Sequence, residues 1–146
     1  MIKHHQTLTS NGIRPSIQRV AILDYLHTHR THPTVDEVYE SLHPTIPTLS
    51  RTTIYNTLKL FESKGVIQVL HLSEQQVHLD ADVTPHAHFY CNDCGSIFDI
   101  PIEKRFQAEV SQQLQHPHLK SFHISNTQVI HNGLCSQCVE KNKTTL

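Results

Sequence analysis

Apolar residues in the first half of the chain recur at steps of three and four, whereas in the second half they alternate or cluster in short β-branched runs. In "RPSIQRVAILDYLHTH", Ile17, Val20, Ala21 and Leu26 follow Pro15 and Ser16 at helical spacing, predicting a helix from about Ser16 to Thr28. In "HPTVDEVYESLH", Val35, Val38, Tyr39 and Leu42 keep the same period behind Thr34 and Glu37, which have the spacing of a capping box. Ser50 is placed to cap a third helix with a stripe of Ile54, Leu58 and Phe61 that stops at Gly65. "VIQVLHL" and "QVHLD", separated by Ser-Glu-Gln, then form a candidate hairpin. Three helices followed by a two-stranded ribbon is the order of a winged helix-turn-helix.

The pattern changes from about Asp80. "HFYC", "SIFDI" and "FHISNTQVIHN" read as strands, and "RFQAEVSQQLQ" puts Phe106, Val110 and Leu114 on one helical face. The expected fold class is therefore α+β, with a winged helix-turn-helix domain and hinge over residues 1–79 and a small α/β domain over residues 80–146.

Composition narrows the function. The 146 residues carry a net charge of -1, too little for a global field toward nucleic acid or anionic membrane. Residues 1–70 hold seven Lys+Arg against five Asp+Glu, and residues 71–146 five against eight, which permits DNA binding by the first half without predicting it. No apolar run reaches membrane-spanning length, and "MIKHHQTLTS" lacks the core of a signal peptide, so a cytoplasmic protein is expected. In that reducing compartment the four cysteines read as metal ligands before disulfides. Histidine is the outlier, at 14 residues, with no repeat or tag-like tract to account for it.

Cys91, Cys94, Cys135 and Cys138 form two Cys-x-x-Cys pairs, the spacing that lets four thiolates close on one structural zinc. A redox Cys-x-x-Cys would call for a thioredoxin-like setting that the chain lacks. A closed thiolate site leaves no place for imidazoles, so these point to a second ion. His86 and His88 alternate on an extended segment, with Asp80 and Asp99 to either side, and imidazole with carboxylate suits Fe(II), Mn(II), Co(II) or Zn(II), leaning toward iron or manganese. A hydrogen-bonded or surface role is the competing account of His-x-His. Arg51, Thr52, Tyr55, Asn56 and Lys59 share the polar face of the third helix, where they suit phosphate and base edges of double-stranded DNA, or simply solvent. His4, His5, His116 and His118 read as surface residues, and His27, His29, His43, His71, His78, His123 and His131 have no assigned role.

"GIRPSIQRVAIL", "HPTVDEVY", "TIYNTLKLFESKGVI", "HAHFYCNDCG" and "GLCSQC" together resemble the ferric uptake regulator (Fur) family, from Gly12 to Cys138. The resemblance implies a homodimeric, metal-dependent repressor of operator DNA rather than an enzyme, with the second domain serving dimerisation. It also implies a regulatory site of His32, Asp80, His86, His88 and Asp99, which is the three-histidine, two-aspartate set of the peroxide-responsive (PerR) branch. In that branch Fe2+ or Mn2+ occupies the site beside structural Zn2+, and peroxide is the small-molecule signal. Iron-catalysed oxidation of the histidines matching His32 and His86 then releases DNA. Two departures from iron-type members, Pro85-His86-Ala87-His88 before the first cysteine and Thr127, imply that a third metal site is missing. An iron- or haem-responsive repressor of metal uptake genes is the alternative. A non-haem iron oxygenase would leave the winged helix without purpose, and a metal-storage module is disfavoured by few, interlocked ligands.

Overall fold

The computed structural model describes residues 2–144. Met1, Thr145 and Leu146, which the expected domains include, lie outside the described residues. The chain divides into two compact units, Met1–Val83 and Thr84–Leu146.

In the first unit, α1 (Ile2–Ser10), α2 (Ile17–Thr28), α3 (Val35–Leu42) and α4 (Arg51–Ser63) precede an antiparallel ribbon of β1 (Gln68–Leu70) and β2 (His78–Asp80). Residues 80–83 belong to this unit because Asp80 pairs with Gln68 across the ribbon. Each of α2, α3 and α4 starts on a hydroxyl cap, from Ser16, Thr34 and Ser50, and Thr34 and Glu37 complete a reciprocal capping box. α4 ends in a Schellman turn, in which the Val66 amide donates to Phe61 and the Gly65 amide to Glu62. Gly65 takes φ +70 there, a conformation that penalises any residue with a Cβ. The stripe Ile54, Leu58 and Phe61 is buried as its period predicts, against Leu8, Val20, Leu23, Leu26, Val38 and Leu79.

Two expectations fail here. α1 was not legible, and it buries His4 rather than leaving it on the surface. His4 Nε2 lies 3.0 Å from Asp24 Oδ1 on α2, so a polar contact seats a helix whose apolar residues are few. The turn between β1 and β2 also spans residues 71–77, longer than a hairpin on Ser-Glu-Gln. Two histidines without an assigned role finish helices: His29 and His43 are the C-caps of α2 and α3. Each stacks on the tyrosine four residues earlier, Tyr25 at 4.1 Å and Tyr39 at 4.8 Å between ring centroids.

The second unit holds β3 (His86–Cys91), β4 (Ile97–Pro101), α5 (Lys104–Gln113), a 3-10 turn at Pro117–Leu119, β5 (Ile130–Gly133) and α6 (Ser136–Thr144). β3 is central, antiparallel to β4 and parallel to β5. Parallel pairing needs a crossover, which the segment containing α5 supplies. The expected strand over "FHISNTQVIHN" is confined to its last residues, and 122–129 carry no strand. α6 was not expected. α5 has no buried residue and Phe106 is exposed, so the apolar face read from its sequence is not covered within this unit.

Burial lowers the pKa of His27 below its ordinary 6.5; His4, Arg30 and Lys3 act in the same direction and Asp24 against it. The unfolded chain therefore binds this proton more readily, and stability should fall as pH drops through 6.5, until the lowered folded value is reached. His27→Gln is expected to lose less Tm than the parent across that range in paired thermal melts. Equal losses would remove His27 as a source of acid sensitivity.

Candidate metal centres and nucleic-acid face

Cys91 closes β3, Cys94 follows in the next turn, and Cys135 and Cys138 flank the start of α6. All four sulfurs lie within 4.8 Å of one another. Cys94 Sγ and Cys135 Sγ are 3.8 Å apart, and thiolates about 2.3 Å from a tetrahedral zinc would be separated by about 3.8 Å. The turn is shaped for this. Gly95, at φ +73, donates its amide to Cys91 O, and the Cys135 amide donates to Cys91 Sγ at 3.4 Å. Backbone amides of Cys135 and Cys94 pull the Cys91 thiol down to about 6, and the Ser96 hydroxyl lowers Cys94. Burial pushes Cys138 up. Three of the four cysteines are buried and Cys94 is exposed, and four sulfurs at this separation are the donor set that fits Zn2+.

Imidazole and carboxylate come together separately in each unit. In the second, His88 and Asp99 face each other across the β3–β4 register, and His86, two residues back, lies on the same side of β3. His88 Nε2 is 3.3 Å and His86 Nε2 3.5 Å from Asp99 Oδ1, and the two nitrogens are 3.0 Å apart. His86 Nδ1 donates to Thr84 O at 2.7 Å, which turns Nε2 toward the other two donors. Cis donors about 2.1 Å from an octahedral ion lie about 3 Å apart, so the three atoms fit a divalent cation. In the first unit, buried His32 and Asp80 approach at 3.5 Å, Nε2 to Oδ2. His78, with no role assigned from sequence, lies with Nδ1 2.8 Å from His32 O.

Arg51, Thr52, Tyr55, Asn56 and Lys59 are all exposed along α4, opposite Ile54, Thr57, Leu58 and Phe61. They are not equally available. Arg51 Nε meets Asp36 Oδ1 at 3.0 Å, a second guanidinium nitrogen lies 3.5 Å from Glu40, and Cζ sits 4.0 Å over the Tyr39 ring. α3 thus holds Arg51 from three sides. Lys59 Nζ lies 4.7 Å from the Tyr55 ring centroid.

Residues 10–129 match the ferric uptake regulator family. The chain belongs to that family. A peroxide-responsive repressor, PerR, of Staphylococcus saprophyticus is 34% identical over 135 residues, covering 92% of this chain and 88% of that protein. Among solved structures, the Fur protein of Helicobacter pylori, described with three functional metal binding sites, aligns at TM-score 0.71 and 21% identity over 94% of this chain and 90% of that one. The Fur protein of Francisella tularensis with iron aligns at 0.67 and 25% identity, over 88% and 96%. The family match ends before Cys135 and Cys138, so for this Fur-family member the four-sulfur cluster rests on geometry. Among the described residues no helix is long and apolar enough to cross a membrane.

Structural zinc contributes on the order of 10–16 kcal/mol, comparable with the whole stability of an ordinary domain, about 5–15 kcal/mol. The core cluster of the second unit consists of Cys91, Cys135 and Cys138 with Phe89 packed against them. Cys91→Ser is therefore expected to abolish tight zinc retention and leave amides of β3, β4 and β5 unprotected in hydrogen exchange while α2 and α4 stay protected. A zinc-free variant with a protected β3 would contradict this.

Proposed function

We propose that this Fur-family chain is a homodimeric, metal-dependent repressor that releases operator DNA in response to peroxide. In this reading Cys91, Cys94, Cys135 and Cys138 hold zinc, and His32, Asp80, His86, His88 and Asp99 together serve one exchangeable divalent ion. The observation that carries it is the convergence of His86 Nε2, His88 Nε2 and an aspartate oxygen of Asp99 on a site free of sulfur. Oxygen and nitrogen donors suit Fe(II) or Mn(II), and relatives named peroxide-responsive repressors favour peroxide over iron as the signal. Bound Fe(II) would bring one-electron reactivity toward hydrogen peroxide, which Mn(II) lacks.

The protein's own residues do the rest. His32 and His86 are the proposed oxidation targets, and loss of a ligand imidazole lowers affinity for the ion. Loss of the ion would release the reading helices of a dimer from the spacing of two half-sites. Couplings of this kind are typically about 1–3 kcal/mol, or roughly 5- to 150-fold in affinity. Phe98, Phe106, Phe122, Ile124, Leu134 and Val139 are exposed on the second unit, apolar area that supports its use against a second copy.

On α4, Lys59 is proposed to meet phosphate, Tyr55, Asn56 and Thr52 to meet bases, and Arg51 to contribute less net charge because Asp36 and Glu40 already face it. Lys59→Ala should reduce the slope of log affinity against log salt by about 1, and Arg51→Ala by clearly less. Equal reductions would mean that Arg51 leaves α3 for the duplex.

The deciding experiment compares DNA binding by zinc-loaded protein with anaerobic Fe(II) or Mn(II), before and after near-stoichiometric peroxide, with peptide masses across His32 and His86. Release by the iron form alone, with one oxygen gained on those peptides, is expected. If both forms keep DNA until the metal is chelated, the protein is an iron- or metal-availability regulator instead.

A further inference from the structure

His32 is the one non-glycine residue with positive φ among the described residues, at +54. That backbone is costly, since Cβ crowds the region of positive φ. Something must hold it. β2 does so through consecutive residues: His78 Nδ1 lies 2.8 Å from His32 O, and the Leu79 amide donates to Pro33 O at 2.9 Å. A carbonyl only accepts, so His78 Nδ1 carries the hydrogen. Period two along the strand puts the His78 and Asp80 side chains on the same face, and Asp80 Oδ2 is 3.5 Å from His32 Nε2. The strand that supplies one carboxylate thus also pins the backbone of the imidazole beside it.

We propose that His78 is a positioning residue for the regulatory metal, acting through the His32 backbone and touching the ion itself in no way. The proposal rests on the reading of His32 as a ligand. Without the Nδ1 donor, the loop of residues 31–33 relaxes out of the left-handed conformation and carries the imidazole away from Asp80. Substitution of a residue that orients a metal ligand typically weakens binding about 10- to 100-fold, and that range is expected for His78→Ala. His78→Asn keeps an N–H donor near the same position and should bind within about threefold of the parent, a rescue that a general packing role would not give.

The test is Mn2+ titration of full-length, zinc-loaded protein, followed by the electron paramagnetic resonance signal of free Mn2+, for the parent, His78→Ala, His78→Asn and His32→Ala. Weak binding by His78→Ala and His32→Ala with rescue by His78→Asn is the expected result. Parent-like binding by His78→Ala beside a weak His32→Ala overturns the positioning role alone, as does an Asn variant as weak as Ala. Parent-like binding by His32→Ala overturns the ligand assignment and this proposal with it. Should His78→Ala fail to fold, ring 15N shifts of His78 in the parent still decide: a hydrogen-bonded Nδ1–H is required, and a bare Nδ1 with the hydrogen on Nε2 refutes the contact.

Discussion

Four sulfur atoms stand where the second unit would otherwise need a hydrophobic core. Among its described residues the buried apolar cluster is three cysteines with Phe89 alongside, and α5 buries nothing. Cys91 ends the central strand, and its register partner Gly133 lies two residues before Cys135, so the thiolate cluster and the parallel β3–β5 pairing close at the same place. Because β3 also pairs with β4, the cluster fixes the strand whose other end brings His88 opposite Asp99. The nitrogen and oxygen donors are therefore arranged by the sulfur donors at the far end of one strand.

Histidine does several jobs that composition alone lumps together. His29 and His43 cap helices and stack on tyrosines, His4 seats α1 through Asp24, and His78 reaches the backbone of His32. His86 and His88, by contrast, turn Nε2 toward a carboxylate. The difference lies in what the other ring nitrogen and the neighbouring strand dictate, which no count of histidines conveys.

Two helices of the first unit were legible because a capping hydroxyl, a three-four apolar period and a terminating glycine agree at Ser50 to Gly65, and a capping box and the same period agree at Thr34 to Leu42. α1 was not, because "IKHHQTLTS" buries a histidine where the pattern calls for an apolar residue. The long strand expected over 122–132 was overstated for a related reason. Phe122 and Ile124 supply β propensity but are exposed, and only residues 130–133 find a partner strand. At the candidate sites, residue types at short spacing could be read directly, as with the Cys-x-x-Cys pairs and His-x-His. Cross-strand proximity of Asp99 to His88, and the grip of α3 on Arg51, depend on register and helix packing that a single sequence does not display.

The two units differ in when along the chain their contacts become possible. The helices of the first are joined by short connections, and its buried apolar cluster is made of residues between Leu8 and Leu79. The second cannot complete its sheet until β5 and the later cysteine pair exist, some forty residues after the first pair. On a ribosome, the α4-bearing unit can therefore fold while Cys91 and Cys94 still wait with two thiolates for a metal that needs four. If zinc is the ion those sulfurs hold, as proposed, its supply during synthesis would decide whether the second unit can close at all.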